Sequence, residues 1–213
     1  MKNIKIAVIG GTGKSGKYLT EQLIDRGFQL KLLLRNPQNL KIRHPNIEIV
    51  AGNVVNYAAV LQLIKDCDAV ISTLGLGIPA SEPTIFSQST TNVIKVMQVL
   101  NLHRYIVTTG LNVDTPFDHK GTKTTYGTAW MKEMFPVSTA DKQKEYEILI
   151  ASTLDWTLVR LPLIRQTKES DKTEVSLTDC PGDSISATDL ATFLIRQLDC
   201  ESFIREAPFI ANI

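Results

Sequence analysis

The chain has 213 residues, 43% of them hydrophobic, and a formal net charge of +1. That length suits one domain with a substantial core. The near-neutral charge marks no nucleic-acid or anionic-membrane surface, and no apolar run approaches the roughly 20 residues of a membrane span.

"IKIAVIG" opens the chain as a short apolar run and reads as a buried strand, with no signal-peptide pattern before it. A cytoplasmic protein is expected. "GGTGKSG", Gly10 to Gly16, follows. Its Gly-Lys-Ser would end an ATPase phosphate loop, but that loop needs a glycine at position 8, where Val8 stands. Gly10, Gly13 and Gly16 instead have the spacing of a dinucleotide-binding turn. Tyr18, Leu19, Leu23 and Ile24 then recur at helical spacing, and Gly27 reads as a stop. Strand, glycine turn and helix are the context such a turn requires. Gly10 permits the tight turn, Gly13 lets backbone approach a pyrophosphate, and Gly16 lets helix and strand pack closely. Thr12, Lys14 and Ser15 complete the loop, whose N–H groups face the anion.

"FQLKLLLR" (Phe28 to Arg35) predicts a second strand and "IEIVAG" (Ile47 to Gly52) a third. The second strand's end normally faces the adenosine ribose, where an acid selects NAD and an arginine accommodates the extra phosphate of NADP. Arg35 stands there with no acid, and Lys14 adds a second charge, so NADP(H) is the expected cofactor. Asn53 and Val54 end the third strand. Asn53 is either an adenine partner, since an amide offers donor and acceptor, or a turn former.

Tyr57, Val60, Leu61 and Ile64 mark a helix face; "DAVISTLG" (Asp68 to Gly75) is a fourth strand running into glycine. A long helix carries Val93, Met97 and Leu100, and "RYIVTTG" (Arg104 to Gly110) is the fifth strand. From 111 to 137 there is little clear periodicity, in a stretch too long for an ordinary connection. It carries Phe117, His119, Tyr126, Trp130, Met131, Met134 and Phe135. Two readings stay open: a lid or apolar wall for a planar substrate, or a local hydrophobic cluster with a short helix. A helix over about Thr139 to Ser152, a sixth strand "DWTLVRLP" (Asp155 to Pro162), a helix near Ala187 to Leu198 and a last strand at "APFIAN" complete the chain. The alternation predicts a single α/β domain: a doubly wound, mostly parallel sheet with helices on both faces. Ligands then lie outside the strand C-terminal ends. Those ends hold Gly10 to Ser15, Arg35, Gly52 to Val54, Thr73 to Gly77, Thr108 to Leu111 and Pro162 to Ile164. Thr73, Leu74, Gly75, Thr108, Pro162 and Ile164 join the expected cofactor site on that ground. Cys67, Cys180 and Cys200 are widely spaced, lack metal-ligand spacing, and read as reduced thiols.

Taken together, "GGTGKSG", "LLLRNP", "GNV", "DAVISTLG", "LDWTLVRLP" and "ISATDLATFLI" resemble the atypical short-chain dehydrogenase/reductases. The nearest resemblance is to the compact NAD(P)H-binding group that includes biliverdin reductase B (flavin reductase) and NmrA-like proteins. It implies NADP(H) held across the strand ends, a small substrate, and a monomer or weak homodimer; some members are reductases and others redox sensors. Catalytic members use a Ser or Thr after the fifth strand and Tyr-x-x-x-Lys on the next helix. Here Gly110 stands at the serine position, with Thr109 beside it. Lys142 matches the lysine, which would also hold the cofactor. Four residues earlier stands Ser138, not tyrosine, and Tyr146 lies one turn beyond. Thr109, Lys142 and Tyr146 are the catalytic candidates, and the departures favour a flavin- or quinone-like acceptor or a non-catalytic sensor.

Overall fold

A computed structural model describes residues 4–40, 42–76 and 81–213. Gly77, expected at the end of the fourth strand, lies outside the described residues. The order begins β1 (Lys5–Ile9), α1 (Gly16–Asp25), β2 (Gln29–Leu34), β3 (Ile47–Ala51), α2 (Tyr57–Ile64), β4 (Ala69–Ser72), α3 (Ile85–Val99) and β5 (Arg104–Gly110). It continues with α4 (Thr122–Met134), α5 (Pro136–Ala151), β6 (Asp155–Leu161), β7 (Leu163–Arg165), β8 (Thr173–Ser176), β9 (Ser184–Ser186), α6 (Ala187–Arg196) and β10 (Phe209–Asn212).

The strands form one sheet in the order β3-β2-β1-β4-β5-β6-β10-β9-β7, with β8 on β10. From β3 to β6 every pairing is parallel. The expected doubly wound α/β fold is the one observed. β1 pairs β2 on one side and β4 on the other, so the strand order reverses there and opens a crevice at the strand ends. Both faces are covered, which explains the near-continuous apolar strands. Along β1 the side chains alternate. Ile6 and Val8 pack with Leu19 and Leu23 of α1 and Leu190 and Leu194 of α6. Ala7 and Ile9 pack on the opposite face with Val60 of α2 and Phe86 and Val93 of α3.

Gly27 ends α1 with φ +82°. Its N–H bonds the Ile24 carbonyl at 2.8 Å, and the Phe28 N–H bonds that of Leu23 at 3.0 Å, the paired C-terminal closure for which glycine is favoured. Two local readings differ from expectation. The stretch with little periodicity contains α4, a full helix with Thr124 and Thr128 as its buried face. Polar inward residues and exposed apolar ones hide it from hydrophobic patterning. Strands β7, β8 and β9 also went unseen, being three or four residues each and too short for a period to register.

Candidate functional site

The turn between β1 and α1 is built from backbone. Gly10 has φ +76°, in the left-handed region. A Cβ there would lie 2.6 Å from the Thr73 carbonyl oxygen, and one at Gly16 would overlap the Gly10 carbonyl. Packing alone demands both glycines. Gly13 differs: it is exposed, and its Cβ would meet only the Gly10 oxygen, at 3.2 Å. The missing side chain there keeps the outer surface of the turn open. Among the described residues, no backbone carbonyl accepts from the N–H groups of Thr12, Lys14 or Ser15. Ser15 begins α1 without a side-chain cap. Open donors at a helix start, beneath a bare glycine, fit a pyrophosphate.

The other cofactor candidates surround this turn in different capacities. Arg35 is exposed just beyond β2, and its guanidinium donates to Ser81 Oγ at 3.3 Å. Asn53 Oδ1 accepts the Val55 N–H at 3.4 Å, a turn-forming bond that leaves its amide hydrogens available. The Val54 carbonyl accepts from Asn92 of α3 at 3.0 Å. Thr73 is buried, its hydroxyl shared between the Ile9 and Gly10 carbonyls at 3.3 Å each, so it locks the turn from below. Leu74 is half-buried, and Gly75 is exposed with open space where a Cβ would stand. Thr108 ties β5 to β4 through the Ser72 carbonyl at 3.4 Å. Pro162 and Ile164 are half-buried beyond β6.

The end of β5 meets α5. Thr109 is 4% exposed, and its hydroxyl has no partner among the described residues. Lys142 Nζ would lie 3.6 Å from a Cβ at Gly110 and sits 5.0 Å from the Phe86 ring centroid. Burial pulls its pKa down, and Glu145 partly restores it. Ser138 Oγ donates to the Phe135 carbonyl at 3.3 Å, within its own helix start. Tyr146 goes elsewhere. Its ring packs edge-on to Trp156 of β6 at 6.2 Å, inside the core, and burial pushes its phenol up. Lys142 thus reaches the Gly110 position, while the Tyr146 ring lies against Trp156 with Arg160 and Asp118 in its surroundings.

Several contributors carry no local sequence signal. Asp141 caps α3 from α5, accepting the Phe86 and Ser87 N–H groups at 2.8 and 3.3 Å together with the Ser87 hydroxyl. Glu145 is fully enclosed. Thr90 donates to it at 2.7 Å, its second oxygen has no partner, and burial pushes its carboxyl up to about 8. Arg160, with no exposed surface, holds Asp118 at 2.6 Å and the carbonyls of Ala207, Val113 and Leu177 at 2.7, 3.2 and 3.0 Å. Lys120 adds Asp114 at 2.6 Å and the Leu111 carbonyl at 3.0 Å. Segment 111–120 is thereby strapped to β6. Beside it, a cavity of about 500 Å³ is lined by Leu111, Thr124, Pro162, Cys180, Gly182 and Asn212 among others. The aromatic residues do not enter it. Phe117, Tyr126 and Trp130 are 66%, 73% and 46% exposed, and His119, Met134 and Phe135 are exposed too.

A parallel doubly wound sheet with a bare glycine turn at its switch point defines a dinucleotide-binding protein. The chain belongs to the NAD(P)H-binding family, whose model matches residues 10–201. An isoflavone reductase homolog from Nicotiana glauca is 38% identical over 80 residues, covering 33% of this chain and 26% of that protein. Phenylcoumaran benzylic ether reductase 1 of Arabidopsis thaliana is 27% identical over 136 residues, 58% of this chain and 41% of its own. The matches thus span well under half of those reductases. Among solved structures, a short-chain dehydrogenase/reductase from Veillonella parvula in complex with NADP superposes with TM-score 0.81 at 14% identity, covering 98% of this chain and 94% of that one. A Rossmann-fold NAD(P)-binding family protein from Shigella flexneri gives 0.76 at 21% identity, with 99% and 94% covered. No described helix is long and apolar enough to cross a membrane.

Proposed function

We propose that the chain is an NADP(H)-dependent reductase of a planar acceptor, flavin- or quinone-like, of the kind represented by biliverdin reductase B. One observation carries the reading. Four residues before Lys142, where the dehydrogenases that the chain resembles carry their donor tyrosine, stands Ser138, bonded to the Phe135 carbonyl, and the Tyr146 ring packs on Trp156. Reduction of an ordinary carbonyl calls for a positioned acid. An electron-poor planar ring does not, because bound NADPH supplies the hydride and water the proton, yielding NADP⁺ and the two-electron-reduced acceptor.

The residues take roles accordingly. Thr12, Lys14 and Ser15 present N–H groups to the pyrophosphate, across the surface that Gly13 leaves open. Arg35, exposed beyond β2 and hydrogen-bonded to Ser81, grips the 2′-phosphate. Lys142 holds the nicotinamide ribose. NADPH oxidation with free FMN, FAD and small quinones tests the reading. Turnover above background with at least one is expected, and none with any would contradict it.

A second reading is a non-catalytic, NmrA-like NADP(H) sensor. It is favoured by the outward face of α4, where Tyr126, Trp130 and Met134 repeat every four residues and are 73%, 46% and 55% exposed. Such a stripe suits a protein partner. A pull-down with and without NADP, beside the turnover assay, separates the two readings.

A further inference from the structure

Gly110 matches the serine position of the dehydrogenases that the chain resembles, yet its space is occupied. A Cβ at Gly110 would overlap Asn112 Oδ1, so the Asn112 amide fills the volume of the missing side chain. Asn112 is 1% exposed, and neither its amide oxygen nor its amide nitrogen has a partner among the described residues. Thr109 Oγ1, one residue before Gly110, is likewise buried without a partner. Lys142 Nζ approaches the same point from α5. Leaving so many polar atoms unmatched is costly for a folded chain, and such clusters mark places where a ligand completes the bonding.

We infer that Asn112 replaces the serine as the polar group that reads the ligand at the end of β5. A carboxamide side chain has an acceptor oxygen beside donor hydrogens. Its complement is a planar edge with a carbonyl next to an N–H. Two molecules in the proposed reaction present such an edge: the carboxamide of the nicotinamide, and the imide edge of a flavin-like acceptor. Gly110 is then the residue that admits the amide, and Lys142 fixes the ribose beside it. The inference rests on the proposed cofactor site and adds a specificity residue to it.

Asn112→Ala and Asn112→Leu, checked for folding by circular dichroism, are titrated with NADP⁺ and with its nicotinamide-free counterpart, 2′-phospho-ADP-ribose. If Asn112 reads the carboxamide, NADP⁺ binding falls about three- to tenfold, one hydrogen bond's worth, while the nicotinamide-free nucleotide binds as before. If it reads the acceptor, both nucleotides bind normally and the KM for FMN rises by a similar factor, with that for a quinone lacking N–H unchanged. Either result supports the inference. Gly110→Ser combined with Asn112→Ala supplies a further check, since a hydroxyl returned to the same space restores part of the lost binding. A merely structural amide would be insensitive to the nicotinamide and would not be rescued. Unchanged binding and unchanged KM in folded variants overturn the inference alone. An unaltered chain that binds neither nucleotide overturns it together with the cofactor reading beneath it.

Discussion

At the turn from β1 into α1 the chain offers backbone; at the end of β5 it relies on buried side chains. The first region needs only glycines at Gly10, Gly13 and Gly16, with Thr73 locking them from below. The second holds separate buried pairs, Thr90 of α3 with Glu145 of α5 and Arg160 of β6 with Asp118. Backbone donors are preorganised and indifferent to the acceptor's identity, so the glycine turn suits a family-wide ligand. Buried side chains are tuned one residue at a time, and at this end of the sheet Gly110, Asn112, Ser138 and Glu145 are this chain's own.

The two regions should break differently. Arg160→Met removes the buried donor to Asp118 and to the Ala207, Val113 and Leu177 carbonyls; Lys120 at 3.5 Å still faces Asp118, but each stranded carbonyl costs about 1–3 kcal/mol. Chemical denaturation should show that loss, the largest expected from the β5 side; a midpoint near wild type would mean the strap carries little. Gly13→Val acts the opposite way. Its side chain stands on the open surface of the turn, so folding survives while the charge-assisted bonds to pyrophosphate are lost, each roughly 10- to 100-fold in affinity. A folded variant that still binds NADPH normally would remove the turn from the site.

The pattern of what the sequence discloses follows the same division. Glycine spacing and the apolar run of β1 are local signals, so the fold and the tight-turn glycines Gly10 and Gly16 are legible directly. Asp118 and Arg160 lie 42 residues apart, Asp141 and Phe86 lie 55 apart, and Thr90 and Glu145 lie 55 apart. No periodicity marks such partners. The same limit applies to Tyr146, one turn from Lys142 on α5 and yet turned onto Trp156.

A smaller effect sharpens the electrostatic side. Glu145 titrates at about 8 in the fold against 4.5 for a free carboxyl, chiefly through burial, with Thr90 and Lys142 opposing and Asp141 adding to the shift. The folded state therefore holds more protons than the unfolded one between those values. Glu145 thus contributes a loss of stability as pH rises from about 4.5 to about 8, with no further change outside that window. Lys142, held below 10.5 by burial, has the opposite sign: it adds stability as pH rises toward 10.5. Glu145→Gln should remove the falling limb in denaturation curves taken at pH 5 and pH 8. An unchanged pH dependence would show that Glu145 is ionised in the fold. Least of all should follow from Tyr146→Phe. Single-turnover hydride transfer at saturating NADPH should change by less than about tenfold, not by the 10²–10⁴-fold of a lost general acid. A collapse of that rate would restore a tyrosine-acid mechanism.

The most direct measurement is a paired titration of NADPH and NADH against the unaltered chain and Arg35→Glu. Arg35 stands exposed beyond β2 and hydrogen-bonds Ser81, so the swap perturbs no core packing. A charge-assisted contact to phosphate contributes about 1.5–3 kcal/mol, which makes NADPH at least roughly tenfold the tighter ligand. The account predicts that preference in the unaltered chain, and its loss in Arg35→Glu with NADH binding nearly unchanged. Equal affinities at the outset, or equal losses of both nucleotides, would contradict it.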